Sequence, residues 1–194
     1  MSQQVSAPWH RASYERFLRE NLPQLLSERL PLAGYRAEPQ DDPAVCVTVT
    51  LATGSTHIDL TYDIPFPNEE GVFELDYQPY VVLPVATEED LDQAQIHCVG
   101  EQLYAYLEER VTPAPANMPW EPALARTWLS LDLWVQDFFS KAAQRLEANN
   151  WLSRHTHLRR ILIPDREKVI APGQFGRVCP FELPEGPNIG RVFT

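Results

Sequence analysis

Cysteine is scarce in this 194-residue chain: Cys46, Cys98 and Cys179 are odd in number and widely spaced. That argues against a disulfide framework and fits a reducing compartment, so a cytoplasmic protein is expected. No CxxC or HxxxH spacing offers a zinc site. His155 and His157 stand two apart, but no further Cys, His or acidic ligand clusters with them, and no metal is expected. No stretch approaches the roughly 20 apolar residues of a membrane span. Met1 to Trp9 lacks a basic region followed by an apolar one, so no secretory signal is read there. There is no GxSxG elbow, no paired Cys/His arrangement in a supporting context and no lysine-bearing glycine-rich loop for phosphate. No catalytic residue and no cofactor are therefore expected.

Positive charge is the most unevenly missing property. Between Arg36 and Arg110 there is no Lys or Arg, while 16 Asp and Glu occur there. Residues 1–153 carry 9 basic and 23 acidic residues, and residues 154–194 carry 7 and 4. The chain as a whole is at −11. Phosphate binding needs clustered Lys and Arg. Nucleic acid is thus a candidate partner only through 154–194. The acidic remainder reads as a solvated surface that aids solubility.

With 44% hydrophobic residues a chain of this length can bury a core in one domain or two small ones. Tyr14, Phe17, Leu18, Leu22, Leu25 and Leu26 keep a helical period, and Pro23 ends the helix, kinks it or starts a second one. Val45–Leu51 and His57–Tyr62 alternate as strands around a Gly54-Ser55 turn. Asn68–Gly71 is another turn, followed by short strands at 72–75 and 80–83. Thr87 is placed as the cap of a helix running to about Glu109. Four prolines make 112–122 a stiff connector.

Residues 124–146 then give the longest helical pattern. Its stripe is Trp128, Leu131, Trp134, Val135, Phe138, Phe139 and Leu146. It is read as core, not as a stacking platform for bases, because no basic residue interleaves between Trp128 and Phe139. The expectation is an α+β fold: a small, mainly antiparallel sheet packed with three longer helices at 11–30, 87–109 and 124–147, and an extended C-terminal segment. Three parts are drawn: a body at 1–110, a connector and long helix at 111–153, and a basic segment at 154–194.

The sentence-like stretch Gly176-Arg177-Val178-Cys179-Pro180-Phe181-Glu182-Leu183-Pro184-Glu185-Gly186-Pro187-Asn188-Ile189-Gly190 is written like neither helix nor strand. Its prolines fix φ and remove donors, and its glycines permit angles closed to other residues. It reads as a rigid, shaped loop. It closely resembles G-R-[IV]-C-P-I-E-T-P-E-G-P-N-I-G, a signature of the β subunit of multisubunit DNA-directed RNA polymerases; only Phe181 and Leu183 depart.

Other segments resemble the bacterial β subunit in the same order. Residues 13–26 resemble its N-terminal helix. Asp63–Phe73 resembles E-I-P-L-M-T-x-x-G-[TS]-F, after which the family has an Asn-Gly turn and an E-R-V-I-V strand where this chain has Leu75–Val82, without the arginine. Phe138-Phe139-Ser140 resembles the start of the rifampicin-pocket region. Asn150, Leu152-Ser153 and His157–Ile161 resemble N-P-L-x-x-x-x-H-K-R-R-[IL]. The resemblance covers the protrusion-like part and the start of the fork region, and omits the large lobe that separates them in β.

The resemblance implies a role in transcription without catalysis by this chain alone. In the family the metal-binding aspartates belong to β′, and the lysines near the nucleotide lie in the C-terminal half of β. It also implies RNA polymerase subunits or transcription factors as partners. It makes Arg159 and Arg160 candidates for phosphate contact, with His157 and Asn188 as channel lining and Arg177 as a further channel candidate or a partner for a loop carboxylate. Cys179, Pro180, Glu182, Pro184, Glu185, Gly186, Pro187 and Gly190 form the signature loop, with Glu182 and Glu185 pinning it. Two readings fit alike: a β-like protein that works through transcription proteins, or one piece of a split β subunit in an active nucleotidyltransferase. A third class, an unrelated small enzyme using His155 and His157, stays open.

Overall fold

A computed structural model describes residues 8–40, 43–87, 94–114, 121–147, 149–163, 176, 179 and 192–193. Helix α1 (Pro8–Arg16) passes through a widened π turn, Phe17–Asn21, into α2 (Leu22–Arg29). Leu22 N–H reaches back five residues to the Phe17 carbonyl. The proline predicts this: Pro23 has no N–H to continue the regular ladder, and a proline is well tolerated at the start of the next helix. Of the three outcomes open at Pro23, a second helix is the one found.

Strands β1 (Leu32–Pro39), β2 (Ala44–Thr53) and β3 (Thr56–Pro65) form an antiparallel sheet in that order. Val45, Val47, Val49 and Leu51 pack inward, together with Ile58, Leu60, Tyr62 and Ile64. The hairpin turns at Gly54, whose φ of +66° suits glycine. A second sheet joins β4 (Phe73–Leu75), β5 (Gln78–Val82) and β8 (Ala143–Arg145). A third runs β10 (Val192–Phe193), β9 (Ile161–Leu162), β6 (Val85–Ala86) and β7 (Ile96–His97). The mixed α+β class with mainly antiparallel pairing is as expected, but among the described residues the single small sheet is three sheets, and β1 was not foreseen.

Helix α3 (Val99–Glu108) is shorter than the helix expected from Thr87. Thr87 is bonded to Gln95 instead: its N–H donates to the Gln95 carbonyl, and its hydroxyl accepts from Gln95 N–H at 3.0 Å. Gly100 lets α3 cross α1 closely, since a Cβ there would stand 2.2 Å from the Ser13 carbonyl oxygen. The long helix expected over 124–147 is two, α4 (Pro122–Trp128) and α5 (Leu131–Ala142). Ser130 hydroxyl turns back to the Thr127 carbonyl and Tyr62 hydroxyl donates to the Leu129 carbonyl at 2.6 Å, so the break is bonded on both sides. After Ala142 the chain leaves the helix and pairs with β5.

The main core joins α1 to α5 with the first sheet. Tyr14, Phe73 and Phe139 meet at its centre, with ring centroids 4.7 to 6.5 Å apart. The stripe of α4 and α5 is buried here as read: Leu131, Val135, Phe138 and Phe139 are core, and Trp128 and Trp134 pack against it. No helix among the described residues is long and apolar enough to cross a membrane.

Candidate functional site

The basic segment does not begin as an extended strand. It begins as α6 (Trp151–Arg159), because Asn150 is an N-cap whose side-chain oxygen accepts from Ser153 N–H at 2.8 Å. Leu158 seats the helix in a small core with Val72, Val81, Leu83 and Leu146. His10 adds a tie: its Nε2–H donates to the Leu158 carbonyl at 3.3 Å. Arg154 pairs with Glu70, in the turn where Asn68 Oδ1 accepts from Glu70 and Val72 N–H. Gly71 completes that turn at φ +80°, and a Cβ on it would meet the His10 Cβ at 2.4 Å. The Asp63–Phe73 and α6 segments, distant in sequence, are therefore bonded to each other.

His157 is buried at 2% exposure. Its Nδ1 accepts from Glu147 N–H at 3.0 Å, so Nε2 carries the proton and faces Gln144 Oε1 at 3.4 Å. Burial, then the Arg160 charge, lowers its pKa, with Glu147 opposing. A ring held this way orients α6 and is closed to outside ligands. Arg160 forks onto Glu147 at 2.7 and 3.5 Å, and this hydrogen bond holds the Glu147 carboxyl below its usual range. Arg159 Nη1 stands 3.2 Å from His155 Nε2, and His155 stacks on Trp151 at 5.1 Å. Trp151 and Leu152 are exposed.

Strand β9 follows α6 and pairs in parallel with β6, Leu162 beside Val85. Strand β10 returns antiparallel to β9. The residues that flank the signature-bearing segment on either side are thereby set side by side. Within that stretch Gly176 has φ +78°, with no described residue within 4 Å of where a Cβ would stand, and Cys179 is half-buried with a free thiol. Arg177, Pro180, Glu182, Pro184, Glu185, Gly186, Pro187, Asn188 and Gly190 lie outside the described residues.

Of the site candidates, then, His157, Arg159 and Arg160 are brought together on one helix and its end. The carboxylate bonded to Arg160, Glu147, and the Arg154–Glu70 and His10–Leu158 ties were not expected from the residues alone. A signal was present for the first: Glu147 is the acidic residue just ahead of the basic run, and Asn150 marks the helix start between them. Among the described residues no group of three or more His, Cys, Asp or Glu could hold a metal.

Comparison with known proteins gives this geometry a relation. Residues 144–194 match the family model described as RNA polymerase Rpb2, domain 3. The chain is 42% identical over 71 residues to the DNA-directed RNA polymerase subunit beta of Trieres chinensis, covering 30% of this chain and 5% of that protein. It is 38% identical over 78 residues to the subunit of the same name from Methylacidiphilum infernorum (isolate V4), covering 34% and 6%. The chain thus spans about a twentieth of the length of these curated relatives. The likeness to the β subunit read from the residues is shown over this portion, and the matched segment is the one that α6, β9 and β10 belong to.

Proposed function

We infer that the chain acts in transcription as a β-subunit-like protein, through contacts with RNA polymerase subunits or transcription factors, and that it is not a catalyst by itself. The observation that carries this is the match of residues 144–194 to Rpb2 domain 3. The bonding of that segment to the N-terminal body through Arg154–Glu70 supports it, because the Asp63–Phe73 stretch and the run from Asn150 to Ile161 both resemble β. The cellular site of such a protein is the cytoplasm.

The division into a protrusion-like body at 1–110, a connector and helix at 111–153 and a fork-like segment at 154–194 belongs to this proposal. So does the channel role of His157, Arg159, Arg160, Arg177 and Asn188, with the signature loop from Cys179 to Gly190 beside them. In that role His157 acts from beneath, as the anchor of α6. Arg160 reaches phosphate only by exchanging its bond with Glu147.

Depletion tests the reading. Purified chain with template and ribonucleoside triphosphates makes no RNA alone, and removing it from an extract of its own host changes RNA synthesis. Loss of all synthesis indicates a piece of a split β subunit, and altered initiation or elongation by a remaining polymerase indicates a β-like regulator. Unchanged synthesis overturns both.

A further inference from the structure

The two edges of the first sheet are treated differently. In β3 the backbone groups of Thr61 point away from β2, and Arg126 of α4 donates to the Thr61 carbonyl and closes that edge. Strand β1 is the other edge, and no described strand pairs with its outer side. The register fixes which groups lie there. Gln40 N–H donates to the Ala44 carbonyl, so Glu38 with Cys46 and Arg36 with Thr48 are the bonded pairs of the β1–β2 ladder. Tyr35, Ala37 and Pro39 therefore turn their N–H and C=O positions outward, and at Pro39 the N–H is missing. Arg36 and Glu38 lie on the solvent face, 3.6 Å apart.

We propose that β1 is a pairing edge for a second copy of this chain, antiparallel, with Ala37 on the two-fold axis. Centred there, Ala37 exchanges two hydrogen bonds with its copy. Each Tyr35 N–H meets the other Pro39 carbonyl. Arg36 of each strand then stands opposite Glu38 of the other. A register centred on Arg36 sets two guanidiniums face to face, and one centred on Glu38 sets two carboxylates face to face; like charges directly opposite are unfavourable. The charges thus select one register of the three. The proline limits the paired length, and the Arg126 cap on the far edge prevents sheet growth, so the assembly closes as a dimer.

The test is sedimentation equilibrium of the full chain across micromolar to millimolar concentration. Wild type forms a concentration-dependent dimer. Ala37→Pro, which removes only an outward N–H and suits an extended edge, raises the dissociation constant at least tenfold with unchanged far-ultraviolet circular dichroism. Glu38→Arg weakens the dimer, and Arg36→Glu with Glu38→Arg restores it. A monomer at every concentration overturns the proposal. So does a dimer indifferent to Ala37→Pro, or a charge swap that fails to restore what the single reversal lost.

Discussion

Two buried histidines and the buried phenol of Tyr14 make this fold sensitive at single atoms. Tyr14 is fully buried, and its hydroxyl has no partner among the described residues. Burial pushes its pKa far up. A buried hydroxyl left unsatisfied costs about 1–3 kcal/mol. Tyr14→Phe is therefore expected to hold or raise stability, by about 1 kcal/mol, in urea denaturation; a loss of that size would show that the hydroxyl has a partner. His10 and His157 act in the opposite sense. Burial lowers the pKa of each below 6.5, against a raising hydrogen bond to Leu158 in His10 and a raising Glu147 charge in His157. The unfolded chain then binds more protons than the folded one as pH falls through 6.5, so stability declines from there downward. Arg160 and Glu147 face His157, and Glu147 stays ionised through this window because its own pKa is lowered. The urea midpoint should fall between pH 7.5 and 5.5, and His157→Phe should flatten that fall.

Elements meet where glycine allows it, and the positions rank differently. Gly71 has φ +80° and the His10 side chain against it, while Gly54 has φ +66° and nothing within 4 Å. Gly54→Ala should cost about 1 kcal/mol from the backbone alone. Gly71→Ala adds overpacking at the His10 tie and should cost about 3 kcal/mol; equal losses in thermal melts would contradict the packing described. The same scale shows what was legible. The β2–β3 hairpin was readable because Val45, Val47, Val49 and Leu51 alternate with residues on the opposite face, and the Pro23 helix start because the missing N–H is a local property. The break at Leu129–Ser130 was not, since it depends on Tyr62, which is distant in sequence. Nor was β1: Leu32–Pro39 holds a glycine and a proline and few β-branched residues, and it is a strand only because β2 pairs with it. Helix α6 hid behind a basic composition, although its Asn150 cap was in plain sight.

At the scale of the molecule the uneven charge has a structural counterpart. The basic segment is held on an acidic body by Arg154–Glu70 and Arg160–Glu147, which neutralise two of its cations. Breaking one of them should expose charge without unfolding the rest. Glu147→Gln frees Arg160, and the expected result is tighter retention on immobilised heparin than wild type; identical elution at every salt concentration would mean that Arg160 finds another acceptor. The match of 144–194 to Rpb2 domain 3 was legible from the signature stretch and the His157–Ile161 run, because those residues are a long and specific wording. The geometry that joins the segment to the body was not, because its partners, His10 and Glu70, lie far away in sequence. Whether the chain works through the transcription machinery is decided by purifying the tagged full-length protein from its own host at physiological salt and quantifying what accompanies it. RNA polymerase subunits or a transcription factor are expected in reproducible proportion to the chain. Recovery of the chain with neither contradicts such a role.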